Sequence, residues 1–322
     1  MTSTDLIQVR IQALRWEAQG IVSLELRRPE GGALPAFEPG AHIDLVLPNG
    51  VSRSYSLVNA QAHQDHYVVA VNRDAASRGG SRFIHDSLRC GDLVQISAPR
   101  NHFALDESAP HTVLIAGGIG VTPLYAMAQR LQATGRSWEM WYSARNRTMA
   151  AYLAPIVDLG QAGGADRVHL NFDQDPGGRM LDLPAIVAQI DPAAHLYCCG
   201  PTPMIAAFEQ ACTGRAPETV HVEYFSAAEA PAAEGGFTLV LSRSGRSIVV
   251  EPGKTILDAM LDNDIDVPYS CTEGVCGTCE LRVIEGEPDH RDLVLSKEER
   301  AANKSIMVCC SGSLSPKLVL DW

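Results

Sequence analysis

No apolar stretch in this chain approaches the ~20 residues that a membrane-spanning helix requires. Runs such as Val113-Leu114-Ile115-Ala116 are short and interrupted, so no membrane segment is expected. Basic charge is also scarce: 26 Lys and Arg against 38 Asp and Glu leave a net charge of −12, a field that repels phosphate backbones and anionic lipid. Nucleic-acid binding is therefore not expected. The segment from Met1 to Arg10 carries Asp5 and lacks a basic region followed by an apolar core, so it does not read as a secretory signal and a cytoplasmic location is expected. An even set of cysteines for a disulfide framework is missing too. Nine cysteines in such a chain argue for reduced thiols with metal or redox duties. What remains is ordinary: 322 residues, 46% hydrophobic and 20% charged, enough for two or three folded domains.

From Leu6 to Pro99 the pattern is short alternating runs, among them 41–47, 67–71 and 92–96, separated by turn residues. These read as antiparallel strands of a barrel or sandwich, with Pro48, Asn49 and Gly50 marking a hairpin. Between about Thr112 and Phe225 strands alternate with helical segments. Leu124, Met127, Ala128 and Leu131 recur at helical spacing after the strand 112–116, and further strand-like runs follow at 138–143, 168–172, 195–199 and 219–225. That alternation predicts a parallel, doubly wound sheet with helices on both faces. Residues 226–236, rich in Ala, Glu and Gly, are expected to bury nothing and to link to a third, smaller domain. There, Ser244-Gly245 marks a hairpin and Thr255 caps a helix. The expected division is a β-barrel over 1–105, an α/β domain over 106–228, a linker over 229–236 and a last domain over 237–322.

Cys271, Cys276 and Cys279 stand as C-x4-C-x2-C, and Cys309 follows after 29 intervening residues. This is the spacing of plant-type [2Fe–2S] ferredoxins, in which three thiolates on a tight loop and a distant fourth hold two irons. Gly274 and Gly277 allow backbone amides to turn inward toward the sulfurs. A structural zinc site also uses four thiolates but is usually assembled from two short Cys pairs. Cys310, adjoining Cys309, is a rival for the fourth position that the spacing does not select. Cys90, Cys198 and Cys212 read as core filling.

Strand 112–116 runs into Gly117-Gly118-Ile119-Gly120-Val121-Thr122-Pro123 and then a helix, a turn that can bring backbone N–H groups to a pyrophosphate or serve packing alone. A second strand, 195–199, ends in Cys199-Gly200-Pro201, so two strand ends would open onto one crevice. Cys199 would then sit at its mouth, beside a nicotinamide ring or as a buried strand-end thiol. For the ribose, Asp173 and Asp175 favour NADH, whereas Arg145 and Arg147 would suit a 2′-phosphate.

Arg53-Ser54-Tyr55-Ser56 lies on an extended segment, so Arg53 and Tyr55 share one face and the serines the other. A cation beside an aromatic suits a flavin phosphate and ring. Arg78-Gly79-Gly80-Ser81 supplies a second anion site, and Val222-Glu223-Tyr224-Phe225 ends the α/β region with an aromatic. With these motifs the sequence resembles the ferredoxin–NADP reductase superfamily, most closely the phthalate dioxygenase reductase and vanillate demethylase reductase group, over nearly the whole chain.

The resemblance implies FMN held by Arg53, Ser54, Tyr55 and Ser56, with the amides of Gly79, Gly80 and Ser81 near the phosphate and Phe225 over the ring. Val71 and Asn72 belong among the cofactor contacts. It implies NADH held by Gly117, Gly118, Gly120, Thr122, Asp173, Cys199, Gly200 and Pro201. The groups at the reacting atoms would be Cys199, Ser56 and Phe225. Electrons would pass from NADH through FMN to the cluster and on to a Rieske-type terminal oxygenase, a separate chain; Asp262, Asp264, Asp266, Glu285, Glu287 and Asp289 could face it, or simply face water. A haem or di-iron acceptor and a redox sensor are the other readings. Nothing demands more than a monomer.

Overall fold

The computed structural model describes residues 6–62, 64–74, 79–162, 167–225 and 231–322. The described chain divides into two compact units, 1–223 and 224–322. The first unit opens with strands β1 (Ile7–Ala18), β2 (Ile21–Arg27), β3 (His42–Val46), β4 (Ser52–Ser56) and β5 (Tyr67–Asn72), helix α1 (Gly80–Asp86) and strand β6 (Leu93–Ile96). They form one antiparallel sheet in the order β4-β3-β6-β1-β2-β5. A bridge from Leu57 to Val69 brings the two edges together, so the sheet curls into a barrel. The reason is visible in the alternation: Val9, Ile11, Leu24, Leu26, Ile43 and Leu45 turn inward to a common core. The expected hairpin joins β3 to β4, with Gly50 N–H donating to the Leu47 carbonyl.

The rest of this unit alternates β7 (Thr112–Gly117), α2 (Val121–Ala133), β8 (Trp138–Ala144), α3 (Leu153–Gln161), β9 (Val168–Phe172), α4 (Leu183–Gln189), β10 (His195–Cys199), α5 (Thr202–Ala211) and β11 (Val220–Glu223). The five strands are parallel, in the order β11-β10-β7-β8-β9. Leu114, Met140, Tyr142 and Tyr197 share a core with Leu124 and Met127 of α2 and Ile156 of α3. Val113, Ile115, Leu196 and Cys198 alternate to the opposite face, and α5 lies against β10.

The second unit contains β12 (Phe237–Leu241), β13 (Ser247–Val250), α6 (Ile256–Leu261), β14 (Glu280–Glu285), β15 (Pro288–Asp289), α7 (Lys297–Ala302), β16 (Ser305–Met307), β17 (Gly312–Ser313) and β18 (Lys317–Leu320). Its main sheet runs β13-β12-β18-β14-β16, with β12 and β18 parallel. Thr255 caps α6 in a reciprocal capping box with Asp258. One expectation is corrected. In the stretch read as a linker, Ala232 is buried, and its N–H donates to the Cys310 carbonyl. Its methyl group fills the space beside Gly312, where an added Cβ would lie 2.8 Å from it. The start of that stretch, 226–230, lies outside the described residues, as does Arg78.

Candidate functional site

Five groupings of residues emerge. At the C-terminal ends of the parallel strands, β7 and β10 are direct neighbours, with Ala116 opposite Cys199. The turns that follow pack backbone against backbone. A Cβ on Gly120 would stand 2.3 Å from the Cys199 carbonyl oxygen, and one on Gly117 would meet Pro201 Cδ at 2.7 Å. Glycine is thus required at both positions by space. Gly118, with φ of +54° and nothing within 4 Å of its Cβ position, faces open space in the same turn. Thr122 is spent inside the turn, its hydroxyl donating to the Ile119 carbonyl at 3.0 Å.

Asp173 lies two strands away, just past the edge strand β9. Its N–H donates to the Ala144 carbonyl, and Gln174 N–H donates to the Arg145 carbonyl, so the acids and arginines singled out for the ribose occupy one corner. Asp173 Oδ1 is shielded from solvent and has no hydrogen-bond partner. Arg147 instead covers the Phe172 ring at 5.0 Å.

On the barrel, Arg53 lies along α1: a Cβ on Gly80 would come within 2.9 Å of Arg53 Cγ. Gly79 precedes the helix with φ of +95°, and Ser81 Oγ accepts from Asp74 N–H. Burial pushes the half-buried Tyr55 phenol well above its usual range. Ser54 points the other way and donates to Asp44 Oδ1 at 2.7 Å, as period two requires. Val71 is in the barrel core with its carbonyl bonded to His85 Nε2, whereas Asn72 at the strand end is exposed.

Ser56 and Cys199 meet through a residue that sequence reasoning passed over. Glu223, opposite Cys199 in the β10–β11 pairing, accepts a hydrogen bond from the Ser56 hydroxyl, while its Oε2 is shielded and unpaired. Burial raises this carboxyl to about 8, so it stays protonated at neutral pH. An acid at the end of a Val-His-Val strand was the available signal. Cys199 is fully buried rather than open at a mouth, and burial pushes its thiol far up. Phe225 belongs to the second unit and is exposed.

The pH dependence of stability follows from Glu223. The unfolded chain ionises it from about 4.5 upward and the folded chain only near 8, so stability is lost as pH rises through that window, at most about 1.4 kcal/mol per pH unit. Glu223→Gln removes this slope. Thermal unfolding at pH 5 and pH 8 should show the variant gaining on the wild type at the higher pH; a constant difference contradicts the buried, neutral carboxyl.

In the second unit the four predicted thiols converge and are all buried. Cys271 shares hydrogen bonds with Cys276 and Cys309, and Cys309 with Cys279. Gly274 and Gly277 both take positive φ, +70° and +73°, in which a side chain is strained. The loop turns its amides inward as expected, Glu273 N–H donating to Cys271 Sγ at 3.3 Å. Four convergent thiols, inward amides and the absence of room for side chains fit a [2Fe–2S] group.

The glycine turns and the cysteine quartet lie within stretches that match known families. Residues 114–210 match the oxidoreductase NAD-binding domain family, and residues 239–312 match the 2Fe-2S iron-sulfur cluster binding domain family. The beta subunit of phenoxybenzoate dioxygenase from Ectopseudomonas oleovorans is 53% identical over 98% of this chain and 97% of its own. The solved structure of phthalate dioxygenase reductase, described as modular for electron transfer from pyridine nucleotides to [2Fe–2S], is 38% identical, with a TM-score of 0.76 over 99% of this chain and 98% of that one. This chain belongs to the phthalate dioxygenase reductase family. The reductase is an NADH-dependent electron-transfer oxidoreductase carrying a [2Fe–2S] cluster. It is also similar to part of an intact type IV self-sufficient cytochrome P450 monooxygenase, at 39% identity and a TM-score of 0.85, covering 98% of this chain and 41% of that one. Among the described residues no helix is long and apolar enough to cross a membrane.

Proposed function

We propose that the protein is the reductase component of a two-component aromatic oxygenase or O-demethylase, delivering electrons from NADH to a separate Rieske-type oxygenase. The observation that carries this reading is the end-to-end match to the phenoxybenzoate and phthalate dioxygenase components, joined to a complete cysteine quartet. The flavin is FMN, which when bound takes two electrons from NADH and gives them up singly to the cluster. Arg53 and the Gly79–Ser81 amides hold its phosphate, and Tyr55 lies along its ring. The turns at Gly117, Gly118, Gly120 and Thr122 and at Cys199, Gly200 and Pro201 hold the nucleotide, with Asp173 at the ribose and the exposed Asn72 beside the cofactor, whereas Val71, turned into the barrel core, offers it no side-chain contact. Ser56 and Glu223 keep a proton at the reacting end and Cys199 packs beside them. Cys271, Cys276, Cys279 and Cys309 are the cluster ligands.

The acids singled out for docking are only partly available, because Asp262 pairs with Lys254, Glu285 with Lys317 and Asp289 with Arg291. Asp264, Asp266 and Glu287 are exposed and suit a basic partner surface. The protein works as a monomer in the cytoplasm; nine free cysteines suit a reducing compartment.

A second reading is a haem acceptor, favoured by the likeness to the self-sufficient P450. Offering the NADH-loaded protein a Rieske oxygenase component and a soluble P450 in turn separates the two, and reduction of the haem alone would replace the first reading by the second. Catalytic NADH-driven reduction of cytochrome c distinguishes both from a redox sensor, which would show no turnover.

Arg53 is tested on its own. Arg53→Ala should release flavin during gel filtration while the cluster spectrum stays. Full flavin retention removes the arginine from the phosphate site.

A further inference from the structure

Tyr197 stands two residues before Cys199 on β10, is fully buried, and spends its hydroxyl outside the sheet. The phenol oxygen accepts from Asp106 N–H at 2.8 Å and donates to the Ala104 carbonyl at 3.3 Å. Both partners belong to the connector between β6 and β7, along which the chain passes from the barrel to the parallel sheet. The ring is fixed on two sides: His221 of β11 stacks on it at 4.2 Å and 11°, and Phe103 of the connector meets it edge-on at 5.5 Å. Asp106 is held a second time, through its carboxylate. Oδ1 accepts from Ser108 N–H and Oγ, and Oδ2 lies 3.9 Å from Nδ1 of His195, which is itself 3.1 Å from His221 Nε2. A surface ion pair of Glu107 with Arg130 of α2 adds little to this grip.

The connector is tightly registered on the barrel side. Asn101 Oδ1 accepts from Phe103 N–H while its Nδ2 donates to the Pro39 carbonyl, and a Cβ on Gly40 would lie 1.9 Å from the Phe103 oxygen. Arg100 and His42 exchange backbone hydrogen bonds, and His42 stands opposite Ser56 in the β3–β4 register. A shift of residues 104–106 is therefore passed to β4, which carries Arg53 and Tyr55. On the sheet side, Tyr197 runs directly into the Cys199-Gly200-Pro201 turn. We propose that Tyr197 is a positioning residue whose hydroxyl clamps the connector and so sets the distance between the flavin on the barrel and the nucleotide on the β10 turn. It acts through the connector and not on the reacting atoms. Part-buried N–H and C=O groups deprived of a partner move to find another, and a shift of ~1 Å at reacting atoms costs about 10²-fold in rate. This inference rests on the flavin and nucleotide sites proposed above.

The test compares full-length holoprotein carrying Tyr197→Phe with holoprotein carrying Tyr142→Phe. The second variant also removes a buried hydroxyl from the parallel sheet, one that donates to the Ala151 carbonyl at 3.1 Å, but it leaves the connector untouched. Flavin and iron content, thermal unfolding, flavin bleaching by NADH in stopped flow and the long-wavelength charge-transfer absorbance of the NADH–flavin complex are measured. Both variants should keep their flavin and iron. Tyr197→Phe is expected to slow bleaching at saturating NADH by about 10-fold or more and to weaken the charge-transfer absorbance, with half-saturation near the wild-type NADH concentration. Tyr142→Phe should lose thermal stability and keep the wild-type rate. A wild-type rate and charge-transfer absorbance in Tyr197→Phe would overturn the proposal and leave the hydroxyl a stabilising group only. Equal slowing in both variants would overturn it as well, because general loosening of the sheet would then account for the loss. Should Tyr197→Phe fail to fold, Asp106→Ala removes the carboxylate grip alone; slower bleaching there supports the clamp and a wild-type rate contradicts it. A wild-type flavin that NADH does not bleach would show that the underlying reading had failed, and the clamp with it.

Discussion

Replacing Cys276 by Ser is expected to abolish the cluster absorption and to cut NADH-driven reduction of cytochrome c by roughly two orders of magnitude or more, while NADH still bleaches the flavin. Loss of partners around a metal ligand already costs ~10–100-fold, and here the ligand itself is removed. Cys276 lies at the centre of the buried loop, within hydrogen-bonding reach of Cys271 and with Thr278 Oγ1 at 3.2 Å from its sulfur. A hydroxyl in its place neither ionises at neutral pH nor binds iron as a soft thiolate does. The flavin half of the reaction should survive because the barrel and the parallel sheet form one compact unit and the thiols belong to the other. Stopped-flow absorbance of the variant mixed with NADH checks both halves together. Simultaneous loss of flavin bleaching would mean that the two units do not fold or function independently.

Gly120→Ala should be nearly as damaging, through space alone. The residue has φ of −60°, which any amino acid adopts, so backbone conformation is not the obstacle. The added carbon would lie 2.3 Å from the Cys199 oxygen, 2.5 Å from its carbonyl carbon and 2.7 Å from Gly200 N, all backbone atoms with no rotamer to yield. Relief requires β7 and β10 to separate at their C-terminal ends. Overpacking of this kind costs about 1–3 kcal/mol and displaces the surface offered to the nucleotide. Flavin reduction by NADH is expected to slow by about 10²-fold, a misplacement effect, with the cluster EPR signal unaltered. Gly135→Ala is the control. Its φ is +67° with nothing within 4 Å, so it should cost only about 1 kcal/mol of backbone strain and leave NADH oxidation intact.

Much of the fold could be read from local chemistry. The Pro48–Gly50 turn, the apolar strand feeding the glycine turn at 117–120, and the Thr255 cap each determine their conformation within a few residues, and the structure shows the hairpin, the strand-turn-helix and the capped helix there. Three of the cysteines were legible for the same reason, since C-x4-C-x2-C is a local spacing, whereas Cys309 stands 29 intervening residues further on. Glu223 was not. A carboxylate at the end of a strand reads as solvent-facing, and only the pairing of β11 with β10 and the approach of Ser56 from the barrel bury it. Ala232 escaped notice because small residues carry no hydrophobic signal, although a methyl group is what fits against Gly312. Cys199 illustrates a finer failure: its strand and position were foreseen, but its complete burial depends on packing against neighbouring strands that are distant in sequence.

Electrons are expected to follow an internal path from NADH through flavin to the cluster. Anaerobic titration of the purified protein with NADH, followed by visible absorbance, tests it most directly. The flavin band and the broad iron–sulfur absorption are expected to bleach together. Flavin bleaching with a cluster that stays oxidised would contradict the path, and no bleaching at all would remove NADH as the donor.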